Sequence, residues 1–142
     1  MEKLKPLITL LIFIFLVACS HKNMLRQTGD KELTVQLADI SSPAVAGDLS
    51  FAARIIPDRE KFGTSLKRSK ENLLYRMDSC FYLQKGAVKV YSQLTQTVAN
   101  GLSVSFDYLV TFDIDHFDEQ KWNFIYLDKY LNKKKYTIKL TD

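Results

Sequence analysis

The densest run of side chains able to do chemistry is Asp113-Ile-Asp115-His116-Phe-Asp118-Glu119. Closely spaced carboxylates suit calcium, which needs several oxygens converging on one ion, and Asp-x-Asp is a common opening for such a loop. The run departs from an EF-hand at two points: it lacks the glycine at the loop's turn, and Phe124 stands where a bidentate glutamate would close it. It therefore reads as an acidic, solvated turn. Zinc fares no better, because His21 and His116 are the only histidines and a site built on them would lack its usual ligands. No metal and no cofactor is expected.

Nucleophilic catalysis needs a base within hydrogen-bond reach of the nucleophile, and His116 is the one candidate base outside the N-terminal region. Pairing it with Cys80 has no support in the sequence. Glycoside hydrolysis needs two carboxyl groups at a set spatial separation, but Glu60, Glu71 and the acids of 113–119 read as surface charge. Five glycines form no phosphate-cradling loop. The expectation is a protein that is not an enzyme and has no catalytic residues. Cys80 lies in the apolar stretch Cys80-Phe81-Tyr82-Leu83, where a thiol usually packs as a small hydrophobe, so burial is expected. The aromatics suggest binding: Tyr75, Tyr82, Tyr91, Tyr108, Tyr126, Tyr130 and Tyr136, with Trp122, are more amphipathic rings than one core needs, although strands select aromatics in any case.

The elements that would position these residues are mostly strands. Leu33, Val35 and Leu37 alternate with polar or small neighbours, Leu49 to Ile56 forms a second strand stopped by Pro57, and the SSPAVAG stretch separates the two. From Asp58 to Met77 the apolar spacing turns helical. Gly63 interrupts it, so the prediction is a short helix over Ser65 to Leu74 with Ser65 as N-cap. Cys80 to Gln84 and Ala87 to Tyr91 flank Lys85-Gly86 as a hairpin. Gln93 to Ala99 leads into Asn100-Gly101, a strong hairpin signal, and then Val104, Phe106, Tyr108, Val110 and Phe112 alternate without a miss. Trp122 to Leu127 and Tyr136 to Leu140 complete seven or eight short strands with one or two helices. Such spacing predicts a mostly β chain, an antiparallel β-sandwich of the immunoglobulin or transthyretin kind, with an α+β domain as the alternative.

The chain opens differently. Lys3 and Lys5 precede an apolar run from Leu7 to Val17, too short to span a bilayer but suited to the h-region of an export signal. Leu16-Val17-Ala18-Cys19 resembles the lipobox of bacterial lipoproteins. The resemblance implies removal of residues 1–18, diacylglycerol on the Cys19 sulfur, and acylation of the new amino terminus with a fatty acid such as palmitate. More than one acyl chain makes for durable anchoring. Ser20 after the cysteine, with no aspartate there and no acidic tract following, implies an outer-membrane lipoprotein facing the periplasm. Residues 19–31 read as a polar tether, and 32–142 as a single periplasmic domain.

Removing the signal leaves 124 residues, enough for one core without disulfide staples, and takes two lysines and one glutamate, for a net charge of +3. Lys67-Arg68-Ser69-Lys70 and Lys133-Lys134-Lys135 are too sparse for a nucleic-acid footprint and read as solvated loops or turns. Size, lipobox, tether, β pattern and the stretch LLYRMDSCFYLQKGAVKVYSQLTQTVANG resemble small accessory lipoproteins of type VI secretion systems, including the short Bacteroidetes form. That resemblance implies a structural or assembly role, with a membrane contact through lipid and a protein partner in the envelope. A periplasmic ligand-binding or inhibitor-type module is the alternative.

Overall fold

The computed structural model describes residues 24–41, 48–102 and 104–141. The expected export signal over residues 1–18, Cys19 and most of the SSPAVAG break lie outside the described residues. The chain is mostly β and folds as two facing antiparallel sheets with one helix among the described residues. In chain order the elements are β1 (Leu25–Gly29), β2 (Leu33–Asp39), β3 (Asp48–Pro57), α1 (Arg59–Tyr75), β4 (Phe81–Lys85), β5 (Val88–Tyr91), β6 (Leu94–Val98), β7 (Phe106–Asp113), β8 (Asn123–Leu127) and β9 (Lys135–Lys139). One sheet runs β1-β2-β3-β7-β6 and the other β5-β4-β8-β9. This is the sandwich predicted from the strand spacing.

The period-2 alternation places the core. Leu33, Val35 and Leu37 of β2, Phe51, Ala53 and Ile55 of β3, and Phe106, Tyr108, Val110 and Phe112 of β7 all point inward. Across the interface Phe124 of β8 meets Phe51 with ring centroids 5.4 Å apart, and Phe81 of β4 meets Tyr108 at the same separation. These edge-on and tilted aromatic pairs tie the sheets together. The sandwich is closed along one side where β1 and β9 approach, with Arg26 Nη2 donating to the Leu140 carbonyl at 2.6 Å. At the opposite side Ser92 and Gln93 carry the chain from β5 to β6.

Three expectations are corrected. Residues 25–29 are a strand, so the fold begins before Glu32 and takes in part of the 19–31 stretch expected to be a tether. β1 is an edge strand with no apolar face, which hid it from a hydrophobic-pattern reading. Gly29 is required at its end, because a Cβ there would lie 2.6 Å from the Leu33 carbonyl oxygen, while Asp30 Oδ1 accepts from the backbone N–H groups of Glu32 and Leu33 to close the turn.

The helix starts six residues earlier than Ser65, which sits exposed inside it. Asp58, just past the proline, is the true N-cap and accepts from the Lys61 N–H at 2.9 Å. Gly63 does not break the helix: a helical glycine costs about 1 kcal/mol against alanine, and Phe62, Leu66, Ser69 and Leu73 anchor the turns around it.

Finally, Asn100-Gly101 does not make a tight hairpin. Val98 pairs with Asp107, leaving a longer connection. The β4–β5 hairpin forms as expected but is shifted by one residue, with Lys85 paired to Val88 and Gly86, at φ 56°, in the turn.

Candidate functional site

Helix α1 links the two sheets and crosses one end of the sandwich. Its last turn holds no basic residue, and sheet hydroxyls satisfy carbonyls that the helix leaves open: Tyr108 donates to Leu73 O at 2.6 Å and Thr97 to Leu74 O. Nearby, Tyr130 donates to Arg76 O at 2.6 Å, and Ser69 Oγ to Tyr130 O at 2.9 Å. The C-terminal half of the helix is thereby fixed against β6 and β7.

Between α1 and the β6–β7 connection lies a groove of about 910 Å³. Arg59, Gly63, Lys67, Lys70 and Leu74 line it from the helix, a stripe at helical spacing that extends about 22 Å along the axis. The opposite wall is Val98 to Leu102. Asn100 shapes that wall by donating to Ser105 O and accepting from the Leu102 N–H at 2.8 Å, and Gly101 adopts φ 68° beside it. Leu66, Leu74 and Phe106 give the groove an apolar floor.

The groove's electrostatics are one-sided. Asp107 reaches it but is held by Arg54, whose Nε and Nη2 donate to the two carboxylate oxygens at 2.7 and 2.9 Å. That bidentate partner, above all, lowers the Asp107 carboxyl below its usual range. Among the described residues, Arg59, Lys67 and Lys70 have no ion-pair partner.

No family model, no curated protein and no solved structure matches this chain.

A second polar cluster lies where the β1–β2 turn, the start of α1 and the β8–β9 loop converge. Lys134 Nζ sits 2.9 Å from Asp30 and 3.0 Å from Glu32, Glu32 also pairs with Lys61, and Asn132 donates to Glu32 at 3.0 Å. Hydrogen bonding from Lys134 holds the Asp30 carboxyl down at about 2, and hydrogen bonds from Lys61 and then Lys134 hold Glu32 at about 2. Every charge here is answered within the chain, so the cluster is a clamp.

Its loop is organised by Asp128, 1% exposed, whose Oδ2 accepts from the N–H groups of Leu131, Asn132 and Lys133. Oδ1 takes the Tyr126 hydroxyl at 2.8 Å.

The residues singled out from sequence fall elsewhere. The acidic run forms an exposed loop after β7, with His116 at φ 55° and Asp118 engaged by Lys121 and by the Gln120 N–H. Among the described residues no three His, Cys, Asp or Glu side chains gather as metal ligands would. Cys80 is fully buried, and burial pushes its thiol up to about 11. The ring surplus dissolves, since Tyr82, Tyr108, Tyr126, Tyr136 and Trp122 are core and only Tyr75 and Tyr91, at 76% and 52%, are well exposed.

One of the two basic clusters needs correction, while Lys133 and Lys134 lie exposed in the β8–β9 loop as expected. Lys67 to Lys70 is helix, with Ser69 buried and the two lysines on the groove, and Lys134 is pinned between two carboxylates.

Proposed function

We propose that this chain is a lipid-anchored binding module of the bacterial envelope, held to the outer membrane through acylated Cys19 and engaging a periplasmic protein partner through the α1 groove. The observation that carries the reading is the groove's build: an apolar floor, a preformed wall, and along one helix stripe three cations without ion-pair partners among the described residues. An apolar centre with a polar rim is how protein interfaces are made. The Leu16-Val17-Ala18-Cys19 signature supports the anchor. The accessory role in a type VI secretion membrane complex is a specific form of this proposal, in which the module docks a component of that assembly.

The test is metabolic labelling with an alkyne fatty acid, membrane fractionation and complementation of a deletion strain. The wild type should label and float with outer membranes, and Cys19→Ala should do neither and should fail to complement. A Cys19→Ala protein that complements at normal abundance refutes the anchored reading. If a groove variant made at normal abundance complements fully, the groove is not the working surface.

A further inference from the structure

We propose that the α1 groove receives an extended acidic segment of a partner protein, about six or seven residues long, with apolar side chains set between its carboxylates. This rests on the binding-module reading and specifies the partner's chemistry.

The length follows from the helix stripe. Arg59 to Leu74 covers about 22 Å, and an extended chain advances about 3.3 Å per residue. The sign follows from the charges: Arg59 stands at one end of the stripe and Lys67 and Lys70 further along it, all three without carboxylate partners among the described residues, while the one acid in the lining, Asp107, is already spent on Arg54. A neutral or basic ligand would leave those cations uncompensated.

The apolar component follows from Leu66, Leu74 and Phe106 beneath and Val98 and Leu102 opposite. The exposed, flexible lysine heads suit a polar rim laid over such a floor. A free fatty acid offers a single charge at one end, whereas these cations are distributed along the groove, which favours a segment carrying several carboxylates.

Gly63 gives the proposal a handle. It lies in the second turn of the helix on the groove, and a Cβ built there meets no atom within 4 Å, so the space beside the backbone is open. A helix interior ordinarily disfavours glycine, and glycine is the residue that lets a ligand come close to the main chain. Gly63→Leu therefore fills the groove with a good helix former while leaving the folded contacts in place.

The experiment pans a random seven-residue phage library against the mature chain, then measures a fluorescein-labelled selected peptide by anisotropy, with palmitate as competitor. Circular dichroism and urea melts establish that each variant is folded. We expect enrichment of peptides mixing Asp or Glu with Leu, Ile or Phe. Binding should weaken at least tenfold for Gly63→Leu and for Lys67→Glu/Lys70→Glu, the latter selecting basic peptides instead. Selected peptides without an acidic bias, affinity indifferent to Gly63→Leu in a folded protein, or stoichiometric displacement by palmitate would each overturn it. The two proposals fail separately: complementation by Cys19→Ala removes the anchor and leaves the peptide result standing, whereas a groove without acidic selectivity leaves the lipid requirement untouched.

Discussion

Asp128 offers the sharpest test of how the end of the sandwich carrying α1 is held. Its buried carboxylate accepts on Oδ2 three backbone N–H groups, from Leu131 at 2.9 Å, Asn132 at 2.6 Å and Lys133 at 2.9 Å, and on Oδ1 the Tyr126 hydroxyl at 2.8 Å with a long bond from the Tyr130 N–H at 3.5 Å. Asp128→Ala orphans all of these donors. A buried donor left unmatched costs about 1–3 kcal/mol, but Leu131 and Asn132 are half-buried and Lys133 exposed, so water relieves part of this. Three backbone donors near the lower bound, plus the buried Tyr126 hydroxyl, give about 4 kcal/mol. Asp128→Asn keeps the shape. Its carbonyl can face the three N–H groups while its NH₂ donates to the Tyr126 oxygen, so only the charge assistance is lost, about 1–2 kcal/mol. Urea unfolding of both variants, followed by Trp122 fluorescence and circular dichroism, should give that ordering with unchanged denaturant slopes. Equal losses in the two variants, or an Ala loss under about 1 kcal/mol, would show that the loop does not depend on this carboxylate.

Acid should weaken the neighbouring clamp. The Asp30 and Glu32 carboxyls lie at about 2 in the folded chain against ordinary values of 3.8 and 4.5, so their stabilisation is complete above about pH 5 and is lost as pH falls toward 2. Melting temperature against pH should drop in that window, and less so in an Asp30→Asn/Glu32→Gln protein. Cys80 should resist a thiol reagent such as DTNB at pH 8 in the native protein and react fully in urea, because its thiol is buried and pushed up to about 11. Gly63→Ala should raise stability by about 0.5–1 kcal/mol in the same urea assay, since the added methyl meets only open space. A chain beginning at Glu32 loses β1 and the Arg26–Leu140 bond, and should melt below one beginning at Ser20 by an amount corresponding to about 1–3 kcal/mol.

The strands that build the core were legible because burying one face imposes a period of two. β2, β3 and β7 carry that period in Leu33 to Leu37, Phe51 to Ile55 and Phe106 to Phe112, and each lies where the alternation put it. β1 was illegible for the complementary reason: an edge strand with both faces partly wet needs no apolar row, and its pairing is fixed by Gly29 and Asp30 in the turn. The helix start was written locally in Pro57-Asp58, but the glycine signal inside the helix outweighed it. Asp128 carried a weak signal, an aspartate opening a polar stretch, as in turns where the carboxylate captures following N–H groups. The candidate site was not legible at all. It joins residues of α1 to residues from Val98 to Asp107, and only the pairing of β6 with β7, together with the hydroxyls of Thr97 and Tyr108 on the helix end, brings those segments together.

Two sets of contacts hold α1 at its opposite ends. At its start, Lys61 pairs with Glu32, which the β8–β9 loop also holds through Asn132 and Lys134. At its end, Tyr108, a core residue of β7, grips Leu73 O, and Thr97 of β6 grips Leu74 O. The first set is exposed, charged and sensitive to acid and salt; the second is neutral and includes a buried bond. Loosening the charged end would let the first turns of the helix move while the last remain fixed to the sheet. Arg59 and Gly63 lie toward the charged end of the stripe and Lys70 and Leu74 toward the sheet-bound end. A ligand spanning the whole stripe would bridge the two ends, and its affinity would then be coupled to the state of a clamp with which it has no contact.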